Sequence, residues 1–207
     1  MKGFDDYRKL LRGAYVLLDK AERRDAISAD ATRAAKNEDL RLVETSGLLE
    51  DVTGLIEWPV VLLGNIDPKF MDLPSEVLTT TMRTHQKYLS LIDRDGKVAP
   101  HFLMISNMQT SDGGKEIIAG NERVLRARLA DAQFFWDKDQ RYKLVDWFPG
   151  LHEMVFHTKL GSLAERSFRL QELADHLASQ MNTKAGLARR AGPVSYTHLT
   201  LPTSDLV

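Results

Sequence analysis

The segment from residue 83 to residue 88 carries side chains that suit contact with a nucleic acid: Arg83, His85, Lys87 and Tyr88. Cations neutralise phosphates, and an aromatic ring stacks on an unpaired base, so these residue types fit an RNA backbone. In the alternative, the charges only keep a helix face in water, and His85, on the apolar line of that helix, is partly buried. Both interpretations stay open.

A second group of cations follows at Arg123, Arg126 and Arg128. Helical spacing places Arg123 and Arg126 on one side of a predicted helix and Arg128 on its flank. Glu122 and Asp131 dilute the positive charge, so solvation of a helix face is again the alternative. The roles of the tryptophans at 58, 136 and 147 also stay open, because a large aromatic ring serves either as a core residue or as a stacking surface.

Other motifs that carry chemistry are incomplete. The run 113–115, Gly-Gly-Lys, lacks the preceding buried strand and the spaced first glycine of a phosphate-binding loop. His152 and His157 are five residues apart, which on a helix separates them by about 140° and prevents chelation of one metal ion. A hydrolase built on His85 or His101 is a further alternative without a sequence motif. We expect no catalytic residue, cofactor-binding residue or metal ligand in this chain.

Helix signals frame these residues. Asp19 with Glu22, and Ser162 with Glu165, form capping-box patterns that predict helices running to about residues 35 and 181. Apolar spacing predicts further helices over 48–56, from about 74, and over 124–135. The helix after Ser162 has an apolar line through Leu170, Leu173 and Leu177. Residues 107–120 are expected to form a surface loop with a helical turn at 116–118.

Strand signals lie between the helices. The apolar run 60–63 is typical of a buried strand, and alternation after Tyr88, an Asp95-Gly96 turn and the run 102–105 predict a hairpin. The predicted fold class is α+β, a mixed sheet with flanking helices (residues 1–150), followed by the start of an all-helical unit (residues 151–192).

Composition narrows the function classes. The chain has 207 residues, 43% hydrophobic and 28% charged, and its net charge of −1 means that RNA binding requires a local patch. It has no cysteine, which excludes disulfides and thiolate chemistry. No apolar run reaches the roughly 18 to 20 residues that cross a bilayer, and no signal region follows Met1. We expect an intracellular, cytoplasmic protein.

The final segment differs from the rest. From Val194 it lacks helical periodicity and has no charge before Asp205, and it resembles translated read-through of a sequencing-library adapter. Residues 193–207 are therefore expected to be a non-native tail, and the chain to be a fragment of a longer protein.

Three blocks carry a family resemblance: residues 47–108 ("GLLEDVTGLIEWPVVLLGNIDPKFMDLPSEVLTTTMRTHQKYLSLIDRDGKVAPHFLMISNM"), 120–139 ("GNERVLRARLADAQFFWDKD") and 155–174 ("VFHTKLGSLAERSFRLQELA"). The chain resembles the beta subunit of the two-subunit, bacterial-type glycyl-tRNA synthetase. The resemblance implies an editing-domain-like fold up to about residue 150 and the opening of a helical HD-type domain after it.

The resemblance also implies partners. These enzymes are heterotetramers of two alpha and two beta chains, in which the alpha subunit activates glycine with ATP and Mg. The expected partners are therefore the alpha subunit, tRNA(Gly) and a second beta subunit, with no membrane and no cofactor in this chain. The implied role is ligase function in protein biosynthesis, glycyl-tRNA aminoacylation, through binding and positioning of tRNA.

By position, the resemblance favours the two basic clusters as tRNA contacts, with Tyr88 as a stacking residue: Arg83, Lys87, Tyr88, Arg123, Arg126 and Arg128. The alternative is a structural hub that docks onto the alpha subunit with little direct tRNA contact. In the hub, arginines pair with internal carboxylates such as Asp131 or face the alpha chain.

Overall fold

The computed structural model describes residues 3–43 and 46–201. They belong to two compact units, residues 1–131 and 132–207. This division falls inside a long helix, whereas the boundary expected near residue 150 marks a change of composition and stays a prediction. Within the described ranges, no helix combines the length and the apolar character that a membrane span requires.

Five helices lie in the described part of the first unit. They are α1 (Phe4–Gly13), α2 (Lys20–Asn37), α3 (Ser46–Leu55), α4 (Ser75–Gln86) and the first part of α5 (Lys115–Asp139). Asp19 caps α2, since its Oδ1 accepts from the Ala21 N–H at 2.8 Å. The reciprocal half of the predicted capping box is wrong, because Glu22 instead pairs with Arg8 and Arg12 of α1.

Four strands form one sheet in the order β1-β3-β4-β2: β1 (Arg41–Leu42), β2 (Val60–Asn65), β3 (Leu89–Ile92) and β4 (Val98–Ser106). The predicted hairpin is confirmed, with Asp93 Oδ1 accepting from the Asp95 and Lys97 N–H groups at 2.9 Å and Gly96 at φ 82°. A mixed sheet was expected, but every described pairing is antiparallel. The strands β2 and β3 run in the same direction, and the hairpin places β4 between them.

Each face of the sheet contributes to a packed layer. On one face, Leu91 and Leu103 join Ile27 of α2 and Val52 of α3 in a continuous apolar core. Strand alternation turns Phe102 to the other face. There, Tyr88 packs on Phe102 with ring centroids 4.6 Å apart.

Gly64 is required by close packing on that second face. It pairs with Phe102 across the ladder, and a Cβ added at residue 64 would lie 2.6 Å from Phe102 Cζ and 3.0 Å from Met104 Cε. Both Phe102 and Met104 are buried, so an added methyl group forces a shift within a packed layer. Any larger residue at this position overpacks the layer.

The second unit is less helical than expected. It contains the end of α5, a 3-10 helix (Leu144–His152), the antiparallel pair β5 (Val155–His157) and β6 (Gly161–Ser162), α6 (Leu163–Gln180), α7 (Ala185–Val194) and a 3-10 turn (Thr197–Thr200). The expectation of an entirely helical segment after residue 150 is therefore wrong. Gly161, the first residue of β6, adopts φ 83° directly after the turn at 158–160 and so allows the two short strands to pair.

The predicted capping box at the start of α6 is confirmed, because Ser162 N–H donates to Glu165 Oε2 at 2.7 Å and Glu165 N–H donates to Ser162 Oγ at 3.3 Å. The helices α6 and α7 are in backbone contact, since a Cβ at Gly192 would lie 2.7 Å from Gln171 Cα. The buried residues of α6 are small, Ala164, Ser167 and Ala178.

The segment 193–207, which was predicted to be a non-native tail, contains residues with defined secondary structure. Residues 193–201 form the end of α7 and the 3-10 turn, and the Thr200 hydroxyl donates to the Trp147 carbonyl at 3.1 Å. The segment is thus packed within the second unit as far as it is described. Its non-native origin remains a prediction.

Substitution of Gly64 by alanine should destabilise the first unit by about 1–3 kcal/mol, because the new methyl group meets the buried Phe102 ring. Gly120 provides the matched control, since it lies inside α5 with open space for an added methyl group; Gly120→Ala should stabilise by about 0.5–1 kcal/mol. Urea denaturation followed by circular dichroism measures both. Equal stability of Gly64→Ala and the parent chain would contradict the packing argument.

Candidate nucleic-acid interface

Tyr88 is a core residue in this structure. It is 3% exposed, its ring packs on Phe102, and its hydroxyl donates to Asn121 Oδ1 at 2.6 Å. Burial raises the pKa of Tyr88 to about 12. A base cannot stack on a ring that both a sheet and a helix cover, so the structure argues against the stacking role that the sequence suggested for Tyr88.

Lys87 ends α4 in a left-handed conformation with φ 56°. The Met82 carbonyl accepts from the Lys87 N–H and from the N–H of the next residue, the latter at 3.1 Å, and these bonds close the end of the helix. The Lys87 Nζ lies 3.0 Å from Asp51 Oδ2 of α3. Its charge is therefore already partly neutralised within the first unit.

Arg83 and His85 are both exposed on the last turns of α4. The partial burial considered for His85 is thus wrong, because the buried line of the helix passes through Leu78, Thr81 and Met82 instead. Arg83 makes no ion pair or hydrogen bond with the residues that the structure describes. Its guanidinium is free to bind an anion.

The three arginines of α5 do not share one surface. Since Asn121 meets Tyr88, it marks the side of α5 that faces the end of α4. At about 100° per residue, Arg128 projects about 20° from Asn121, whereas Arg126 and Arg123 project about 140° and 160° away. Arg128 thus lies on the α4 side of the helix, about 10 Å further along it.

Nearby carboxylates explain which of these arginines are paired. Arg126 Nε lies 3.7 Å from Asp67 Oδ2, and Asp67 also approaches Lys69 at 3.5 Å. Glu122 accepts hydrogen bonds from the Asn65 backbone and side-chain N–H groups at 2.8 and 3.0 Å. Arg123 and Arg128 are exposed and form no ion pair within the described ranges, so pairing with Asp131 is not observed.

The Gly113-Gly114-Lys115 run is the N-terminal cap of α5. Asp112 Oδ1 accepts from the Gly114 N–H and Oδ2 from the Glu116 N–H, both at 3.0 Å. A hydrogen bond with Thr110, followed by those from the two amides, lowers the pKa of Asp112 to about 2. The carboxylate occupies the position that a phosphate would take, so these amides are not available to a ligand.

The helix α5 begins at Lys115, earlier than expected from the apolar pattern. Gly114 adopts φ 86°, and a Cβ there would lie 2.7 Å from Leu62 Cδ2 of β2. A loop with only a helical turn at 116–118 was predicted over 107–120 from its glycines and polar residues. Those glycines instead let the cap approach the sheet closely, and Gly120 is helical.

The histidines of the near-miss zinc motif lie in different elements. His152 ends the 3-10 helix, and His157 is in β5, where its Nδ1 accepts from the Lys159 N–H at 3.1 Å. Over residues 3–43 and 46–201, no group of three or more potential metal-ligating side chains is found.

The first unit therefore presents a particular class of surface: an α+β module with an antiparallel sheet and isolated, solvent-exposed guanidinium groups on two of its helices. Such groups bind phosphate oxygens bidentately. The model of the family described as glycyl-tRNA synthetase beta subunit matches residues 1–201.

Individual relatives agree with that match. The beta subunit of glycine–tRNA ligase from Rhodospirillum centenum is 51% identical over 187 residues, covering 90% of this chain and 26% of the relative. The beta subunits from Ruegeria sp. and Coxiella burnetii are each 43% identical, covering 96% and 92% of this chain and 30% and 28% of the relatives.

The chain belongs to the glycyl-tRNA synthetase beta subunit family. It spans only about 26–30% of the length of these curated relatives.

Replacing Tyr88 by phenylalanine tests its structural role. The variant keeps the ring but loses the hydrogen bond to Asn121, so the free energy of unfolding should fall by about 1 kcal/mol at neutral pH. The pKa of Tyr88 in the folded chain, about 12, lies above the ordinary value of 10.0. The contribution of Tyr88 to the free energy of unfolding is therefore fully present below pH 10. That contribution should disappear as pH rises towards 12.

Urea denaturation across about pH 8 to 12 should therefore show a steeper loss of stability for the parent chain than for Tyr88→Phe. Tyr142→Phe is the matched control, because Tyr142 is 55% exposed. Identical pH slopes for the parent and Tyr88→Phe would contradict the burial argument.

Proposed function

We propose that this chain acts within a glycine–tRNA ligase as a surface that binds and positions tRNA(Gly) and supports assembly with the catalytic alpha subunit. The supporting observation is that Arg83, Arg123 and Arg128 are exposed and make no ion pair with any described residue. The beta-subunit family assignment supplies the identity of the polyanion.

Local charge must carry the binding. The net charge of the chain is −1, so long-range attraction of RNA by the whole chain is weak. An unpaired arginine releases counterions from the RNA without first losing a carboxylate partner. Arg83, Arg123 and Arg128 are therefore the principal contacts of the proposal.

Lys87 and Arg126 take a secondary place. Their partners, Asp51 at 3.0 Å and Asp67 at 3.7 Å, would compete with a phosphate. Exposed ion pairs of this kind contribute only about 0–1 kcal/mol, so exchange for a phosphate is feasible at low cost. Tyr88 has no role in the proposed contact because its ring is buried.

In this proposal the alpha subunit carries out the chemistry of aminoacylation with ATP and Mg. The complex of alpha and beta subunits is placed in the cytoplasm. The editing-domain-like character of the first unit and the HD-type character of the second remain part of the proposal. An editing activity is not included, because glycine is the smallest amino acid and larger ones are rejected by size at a single site.

The structural-hub alternative is favoured by one observation in the second unit. Two leucines of the apolar line predicted for α6 are exposed, Leu173 at 53% and Leu177 at 50%, and so is Met181 just after the helix at 75%. An exposed apolar line of this kind suits contact with another polypeptide. Both roles can coexist, because the line and the unpaired arginines lie in different units.

Charge reversal separates the two roles. Arg83→Glu, Arg123→Glu and Arg128→Glu, made singly in the full-length beta subunit and assembled with alpha, should each weaken tRNA(Gly) binding several-fold. The slope of log affinity against log salt should become shallower by about 1 for each phosphate that the variant no longer neutralises. Fluorescence anisotropy at several salt concentrations measures both quantities.

Arg94→Glu is the matched control, since Arg94 is exposed but lies at the hairpin end of β3, away from the α4–β3 junction. Assembly is followed in parallel by sedimentation velocity. Loss of the tetramer with unchanged intrinsic tRNA affinity would favour the hub and contradict direct contact.

The division of labour between subunits gives a further prediction. The isolated chain should show no glycine-dependent ATP–pyrophosphate exchange, and exchange should appear only when the alpha subunit is added. The same chain mixed with an inactivated alpha subunit provides the control for contaminating synthetase. Robust exchange by the isolated chain would overturn the assignment of catalysis to alpha.

A further inference from the structure

The loop after α1 holds Tyr15 in a conformation that tyrosine rarely adopts. Its φ is 62°, its N–H donates to the Arg12 carbonyl at 3.2 Å, and the Val16 N–H donates to the Leu11 carbonyl at 2.9 Å. This is a Schellman helix end with tyrosine at the position usually occupied by glycine. A non-glycine residue in this region carries backbone strain.

Burial of the Tyr15 side chain does not offset that strain. The ring is 64% exposed and meets Trp58 edge to face, with centroids 5.2 Å apart and an interplanar angle of 87°. The strained backbone therefore presents an aromatic ring to solvent beside a second aromatic ring. Strained positions of this kind are concentrated at binding sites.

The two rings line a cavity of about 470 Å³. Its other walls are Met108 and the uncharged polar side chains of Asn107, Gln109, Thr110 and Ser111. The volume lies within the range of small-ligand sites. Among the residues that the structure describes, no charged side chain lines this cavity, so it suits a neutral group with hydrogen-bonding edges.

Hydrogen bonds hold the wall beneath Trp58 in place. Asn107 Oδ1 accepts from the Glu57 N–H at 2.8 Å and from the Trp58 N–H at 2.9 Å. The start of β2 is thereby tied to the loop after β4. The cavity is therefore already formed, without any movement of Trp58.

We propose that the cavity formed by Tyr15, Trp58 and residues 107–111 binds a nucleobase. The aromatic rings supply stacking surfaces, and the amide and hydroxyl side chains pair with the edges of an unpaired base. An uncharged lining favours a base over a phosphate. This inference deepens the proposed function, on which its RNA source rests: in the ligase, an unpaired nucleotide of tRNA fills the site.

A neighbouring groove continues from the cavity and shares Trp58 and Gln109 with it. Arg12 and Arg33 line this groove and pair with Glu22 and Asp30. The phosphates next to a bound base would lie along this groove. There, Arg12 and Arg33 are able to exchange their carboxylate partners for phosphate oxygens. The base contact, rather than these paired cations, carries the affinity.

The test uses the assembled alpha–beta enzyme and tRNA(Gly). Tyr15→Ala should weaken tRNA affinity about 5- to 150-fold, the range for the loss of one stacked base, and Trp58→Ala should also weaken it. Tyr15→Phe should retain affinity because the ring remains. The salt dependence of binding should stay unchanged in all three, since no phosphate contact is removed.

Tyr142→Ala is the matched control, because Tyr142 forms a similar exposed edge-to-face pair with Trp147, at 5.6 Å, in the second unit. AMP and GMP are tested as competitors to identify a free nucleotide as the source of the base. Ring-dependent binding of the mononucleotides with unchanged tRNA affinity would assign the site to a free nucleotide and overturn its RNA source.

Two further outcomes separate this inference from the proposed function. If Tyr15→Ala binds tRNA normally while Arg123→Glu does not, the nucleobase site is wrong and tRNA contact stands. If neither variant changes tRNA affinity, the proposed function fails as well.

Stability distinguishes a binding role from a packing role for Tyr15. Tyr15→Gly relieves the left-handed strain, so its thermal midpoint should equal or exceed that of the parent while tRNA affinity falls. A lower midpoint together with normal affinity would show that Tyr15 serves only to pack on Trp58, and the proposal would be overturned.

Discussion

The packing of Tyr88 against Phe102 is the contact on which the arrangement of the first unit depends. Gly64 leaves room for the Phe102 ring on the sheet, and Tyr88 covers that ring and donates its hydroxyl to Asn121 of α5. One side chain thus connects β4, the end of α4 and the middle of α5. The helices that carry the exposed arginines are thus held in place by a residue that is itself buried.

Local signals in the sequence predicted local structure well. The Asp19 cap, the Ser162–Glu165 box and the Asp95-Gly96 turn were found correctly, because each depends on hydrogen bonds within a few residues. Tyr88 was misjudged for the opposite reason. Whether a tyrosine beside three polar residues is buried depends on Gly64 and Asn121, which are distant in sequence.

The same limit applies to α6. Its large apolar residues predicted a helix with one apolar line, yet the residues buried in this structure are Ala164, Ser167 and Ala178. The close approach of α7, where Gly192 meets the backbone of Gln171, selects small residues for the contact. Apolar spacing predicts that a helix has a packing face, but only the neighbouring element decides which face is buried.

The helix ends give the arginines and Lys87 unequal weight as anion sites. Arg83 lies in the last turn of α4 and Lys87 terminates it, where the unpaired carbonyls carry partial negative charge that stabilises a cation but repels a phosphate. Arg123 and Arg128 lie within α5, more than a turn from either end, where this effect has decayed. The helix field and the Asp51 pair therefore both reduce the value of Lys87 for phosphate binding. In α5, Asp67 pairs with Arg126, whereas the Glu122 carboxylate next to Arg123 accepts from Asn65 and leaves Arg123 unpaired.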